Sequence, residues 1–147
     1  MAPGFDQTGK LPAGIHWVTW KEMVSGFGFT PRRRRLLAGL KEALGLLKAA
    51  GCRAVYVDGS FVTAKPQPGD FDACWAVEGV NPDKLDQVFL DFSNSRARQK
   101  SRFLGELFPA DLPAGLSGRT FLEFFQIDKE SGAAKGILAL DLRRWRP

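Results

Sequence analysis

The sequence predicts an α+β domain, a mixed and mostly antiparallel sheet of about four strands flanked by helices. Three observations carry this. Leu36, Leu37, Leu40, Ala43, Leu44 and Leu47 recur at spacings of three and four within Pro31–Ala50, the stripe of a core-facing helix. Ala54–Asp58 and Asp70–Val77 read as strands. Their connection is too short for a crossover helix, so the pair is antiparallel. Thr120–Ile127 and Gly136–Leu142 are strongly apolar runs separated by Lys129–Ala134, whose Ser131-Gly132 signals a hairpin connection.

The elements follow in order. Residues 1–14 read as an extended, partly disordered lead, and residues 15–147 as a single domain. Residues 15–29 predict a short strand or turn, then a helix around Thr19–Phe27 that covers the core. Thr30 is a suitable N-cap for the long helix, Pro31 a suitable first residue and Gly51 a suitable stop. Its first turn holds Arg32-Arg33-Arg34-Arg35, four cations that oppose the helix dipole. They read either as a solvated face or as a phosphate- or acceptor-binding run. Asn81-Pro82 opens a helix carrying Leu85, Val88 and Phe89. Asn94–Phe108 reads as a further helix, residues 109–118 as a Pro- and Gly-rich loop, Thr120–Ile127 as the third strand and Gly136–Leu142 as the fourth.

Composition narrows the function. The chain has 147 residues, 44% apolar and 25% charged, enough for one domain with a core. Its net charge of +5 favours an anionic partner. The single histidine, His16, excludes zinc sites that need two or three imidazoles. Cys52 and Cys74 form no C-x-x-C motif and read as small core residues. Twelve Phe and four Trp make either a Phe-rich core or a base-stacking platform. With no signal-peptide pattern and no apolar run of about 20 residues, the expectation is a cytoplasmic protein with no membrane partner.

One constellation carries chemistry. Gly59-Ser60 closes a strand, and after nine intervening residues Asp70-Phe71-Asp72 opens the next. Glycine lets backbone approach a triphosphate, and the serine hydroxyl can bond a phosphate oxygen. Asp70 and Asp72, two apart on a strand, point to one face, where they can share magnesium.

On these residues the chain resembles the DNA polymerase beta-like nucleotidyltransferase superfamily, above all its small minimal members, over about residues 31–142. The wider sequence, including Leu11–Trp17 and Arg119–Gln126, also looks like a group of small uncharacterised bacterial proteins. The resemblance implies a palm-like nucleotidyltransferase fold and transfer of a nucleoside monophosphate from a triphosphate such as ATP to a hydroxyl. Implied acceptors are RNA or a partner protein, and several small members belong to toxin–antitoxin or defence modules, so a cognate toxin or antitoxin is an implied partner. Gly59 and Ser60 would hold the β- and γ-phosphates, and Asp70 and Asp72 two magnesium ions. A third carboxylate on the following strand would be Glu123, with Asp141 as rival and Asp128 behind both. The cation usual after Gly-Ser is missing, and Lys65 is the nearest substitute. Arg96, Arg98, Lys100 and Arg102 are candidate acceptor-binding residues. The alternatives are a catalytically inactive binding or regulatory protein on the same fold, and a basic nucleic-acid-binding module in which the Asp pair is coincidental.

Overall fold

The computed structural model describes residues 2–146. Five strands form one mixed sheet: β1 (Gly14–Trp17), β2 (Ala54–Asp58), β3 (Phe71–Trp75), β4 (Gly105–Pro109) and β5 (Gly136–Asp141). Their spatial order is β1-β5-β2-β3-β4. The central pairs β5–β2 and β2–β3 are antiparallel, and the edge pairs β1–β5 and β3–β4 are parallel. The fold is thus α+β as expected, with five strands rather than about four and with half of the strand pairs parallel rather than a mostly antiparallel sheet. No helix among the described residues is long and apolar enough to cross a membrane.

Helices α1 (Trp20–Phe27), α2 (Pro31–Ala49) and α3 (Ser93–Phe103) pack on one face of the sheet. Thr19 and Thr30 cap α1 and α2, each hydroxyl accepting a backbone N–H three residues on. Leu36, Leu37, Leu40, Leu44 and Leu47 of α2 are buried against Val55, Val57, Phe71, Leu107, Leu138 and Leu140. The lead is anchored: Leu11 is buried in this core, and Phe5 meets Phe27 edge-on at 5.5 Å. Cys52 and Cys74 are buried and free.

The opposite face carries a smaller cluster of Cys74, Ala110, Phe125 and Ile137, covered by the short helix α4 (Phe121–Phe125). This is the first correction, because Thr120–Ile127 is not a strand. Thr120 Oγ1 accepts from the Glu123 backbone N–H, and the Glu123 carboxylate accepts from the Thr120 N–H, a reciprocal capping box. That local pairing fixes the first turn of a helix.

Two further expectations fail for local reasons. Residues 81–92 form turns and a 3-10 helix over Gln87–Leu90 rather than an α-helix from Asn81. Asn81, Asp86 and Asp91 each accept a backbone N–H two residues ahead, and repeated side-chain turns of this kind interrupt a helical ladder. The helix expected over Asn94–Phe108 starts at Ser93, through left-handed residues Asn94, Ser95 and Arg96, and ends at Phe103. Leu104, also left-handed at φ 65°, turns the chain into β4.

Candidate active site

Strand register builds the site. Asp58 on β2 lies opposite Asp72 on β3, which lies opposite Glu106 on β4. Paired residues share a face, so three neighbouring strands set a row of carboxylates on the thinly covered face. Asp70 precedes β3 by one residue and joins them. Single carboxylate oxygens of Asp70, Asp72 and Glu106 lie within 4.8 Å of one another.

Beside this row the chain turns sharply. Gly59 has φ +85°, and a Cβ built there would stand 2.9 Å from Asp72 Oδ2, so glycine is required on both counts. Ser60 starts a 3-10 turn, Ser60–Val62. Gly59, Ser60 and Asp72 line a pocket of about 480 Å³, closed by Lys10, Phe124 and the 127–136 turn.

The arginine run explains how this loop keeps its shape. Arg33 is fully buried, and its guanidinium donates to the carbonyls of Phe27, Ser60, Phe61, Thr63 and Lys65. Its ring contacts are Phe29 and Phe61, at 4.2 and 5.2 Å. Arg32 donates to the carbonyls of Pro68 and Gly69, immediately before Asp70. Arg33 is thus turned inward, and the half-buried Arg32 is spent on loop carbonyls rather than on an outside anion. They hold both ends of the loop joining the Gly-Ser turn to the Asp pair.

Negative charge is concentrated around Asp72. Burial, then the neighbouring charges of Asp70, Glu106 and Asp58, push its carboxyl up to about 6. Burial and Glu106 raise Asp70 as well. Burial raises Asp58, against the pull of Lys135. An all-oxygen donor set whose members repel one another suits a hard divalent cation such as magnesium. One feature competes with it: Arg96 Nε lies 2.5 Å from Glu106 Oε2, and Lys100 Nζ lies 3.4 Å from Oε1.

The expected residues separate into those the fold gathers and those it disperses. Gly59, Ser60, Asp70 and Asp72 come together. Glu123 is exposed, its carboxylate engaged with the Thr120 backbone, and the third acidic side chain beside the Asp pair is Glu106. Asp141 ends β5 at the opposite end of β2 from Asp58 and pairs with Arg143 at 3.1 Å. Asp128 reaches the pocket but is bonded to Lys10. Lys65 is exposed and does not line the pocket. The α3 cations are ion-paired within the chain: Arg98 with Asp91, Arg102 with Glu42 and Asp86, and Arg96 and Lys100 with Glu106. His16 donates from Nε2 to the Pro12 carbonyl at 2.6 Å. Sequence reasoning missed Glu106, Asp58 and the loop-holding arginines. The alternation of Gly105–Pro109 was the available signal for Glu106, and Thr-x-x-Glu at Thr120 the signal against a strand.

No curated protein and no solved structure matches the chain. A family of unknown function, DUF6932, matches residues 3–141. A match over nearly the whole chain, taking in the Gly-Ser turn and every carboxylate of the row, makes this protein a member of the DUF6932 family.

Proposed function

We propose that this protein is a magnesium-dependent nucleotidyltransferase on a polymerase beta-like fold. It moves a nucleoside monophosphate from a nucleoside triphosphate to a hydroxyl of RNA or of a partner protein. The observation that carries the reading is the Gly59-Ser60 turn pressed against Asp72, with Asp70 and Glu106 oxygens within 4.8 Å of the same carboxylate. The third carboxylate that the resemblance expects on the strand after the Asp pair is matched by Glu106 on β4, not by Glu123.

In this reading the Gly59-Ser60 backbone and hydroxyl bind the β- and γ-phosphates, and Arg33 and Arg32 keep that loop in place. Asp70, Asp72 and Glu106 would hold the metal, which would neutralise charge on the triphosphate and acidify the acceptor hydroxyl. Glu106 would help hold that metal or accept the hydroxyl proton. Positioning and charge compensation account for most of the rate, as in other phosphoryl transfers.

The test is transfer of label from each α-labelled nucleoside triphosphate, with magnesium, into the RNA and protein of a cell lysate. Label is expected with the wild type and not with the Asp70→Ala/Asp72→Ala double mutant. Label of equal strength with the mutant sinks the assignment. The Arg96–Glu106 pair favours a second reading, a catalytically inactive binding or regulatory protein on this fold. Magnesium-dependent nucleotide binding without transfer distinguishes it.

A further inference from the structure

The pocket beside Gly59-Ser60 has the shape for a phosphate chain, but the cation expected to hold that chain is elsewhere. The Lys65 carbonyl is tied to Arg33, and its side chain does not reach the pocket wall. Three other lysines line the pocket. Lys10 is committed to Asp128, and exposed Lys129 stands on the turn beyond it. Lys135 differs from both. Its Nζ lies 3.0 Å from Asp58 Oδ1, and its side chain is 23% exposed.

Asp58 is the anchor of that arrangement. It is 4% exposed, and its Oδ1 makes no well-aligned hydrogen bond although Lys135 is close. A buried carboxylate without full compensation is costly. The ion pair therefore holds the ammonium at the pocket floor. An ammonium has three N–H donors, and one carboxylate oxygen does not use them all.

We propose that Lys135, positioned by Asp58, is the cation that grips the polyphosphate chain of the substrate in this pocket. The proposal rests on the nucleotidyltransferase reading, and it moves the role from Lys65 to the residue immediately before β5. The ligand class follows from three features. The cavity, about 480 Å³, has room for a chain of phosphates rather than a single small anion. The Gly59-Ser60 turn offers close backbone approach at one wall. The lining has three lysines against four carboxylates, so a bare anion is disfavoured and a polyphosphate arrives with its divalent cation.

The experiment is calorimetric titration of the full chain with magnesium tripolyphosphate, comparing wild type, Lys135→Gln, Lys135→Met, Asp58→Asn and Lys65→Gln. Thermal melts confirm that each variant is folded. Loss of one charge-assisted contact corresponds to about tenfold weaker binding or more. That loss is expected for both Lys135 variants and for Asp58→Asn, with Lys65→Gln unchanged. Unchanged affinity in folded Lys135 variants, or a loss in Lys65→Gln alone, overturns the proposal, as does a wild type with no affinity for tripolyphosphate. The two readings fail separately. Tripolyphosphate binding through Lys135 without nucleotide transfer retires the enzyme and keeps the site. Transfer with an unchanged KM for the triphosphate in Lys135→Gln does the reverse.

Discussion

At the scale of single residues, Arg33 and Asp72 are two side chains that burial and neighbouring charge act against. Arg33 has no carboxylate partner among the described residues, and burial lowers its guanidinium to about 10. Its compensation comes from main-chain carbonyls and from the Phe29 and Phe61 rings. Arg33→Met should therefore leave several buried acceptors unpaired and cost roughly 3 kcal/mol or more, read by urea denaturation. Asp72 behaves in the opposite sense from an ordinary salt-bridged carboxylate. Its folded pKa, about 6, lies above the ordinary 3.8. The stability it contributes is thus complete below about pH 4 and is lost as pH rises through 6. Asp72→Asn should match the wild type near pH 4 and exceed it by roughly 2 kcal/mol at pH 8. Magnesium should narrow that gap at pH 8, and melting curves across this range check both points. A run of four arginines was visible in the sequence, but not that two would turn inward. That choice depends on carbonyls supplied by a loop some thirty residues further on.

At the scale of elements, strong local signals were readable and weak ones were overridden. Thr30-Pro31 and the leucine stripe give α2 to within one residue, because cap, first residue and apolar period agree. In 120–127 the apolar content pointed to a strand while the capping box pointed to a helix, and the capping box won. The Leu104, Leu107 and Phe108 spacing fits a helix as well as β4 does, so only the left-handed Leu104 separates them. The candidate site inherits this pattern. Its Asp pair was legible from a two-residue strand period, whereas Glu106 depended on an unrecognised strand. Substitution tells the two glutamates apart. On the proposed function, Glu106→Gln should abolish transfer activity and weaken magnesium binding at least tenfold, since it removes one of the three carboxylates proposed to hold the ion. Glu123→Gln should leave both intact and cost about 1 kcal/mol of stability at most, as expected for a helix cap. Equal effects from the two substitutions would remove Glu106 from the site.

At the scale of the whole molecule, the antiparallel β2–β3 pair was readable from its short connection, and the strand order was not. Nothing in the local pattern of Gly136–Asp141 says that it lies between β1 and β2. That placement comes from long-range packing of Leu138 and Leu140 against the α2 leucines. A chain ending at Lys135 would have β1 and β2 with no strand between them. It should show no cooperative thermal transition, checked by circular dichroism against the full chain.

The position of β5 also dictates an order of events during synthesis. The ribosome delivers β1 first, yet its partner is the fifth strand to be made. The middle of the sheet stays vacant until residues 136–141 have emerged, and β1 and β2 wait with unpaired backbone edges. Contacts spanning about 120 residues close last and slowly. Until β5 is made, the edges of β1 and β2 stay open to pairing with other chains, and the Asp58–Lys135 pair can form only once residue 135 has emerged.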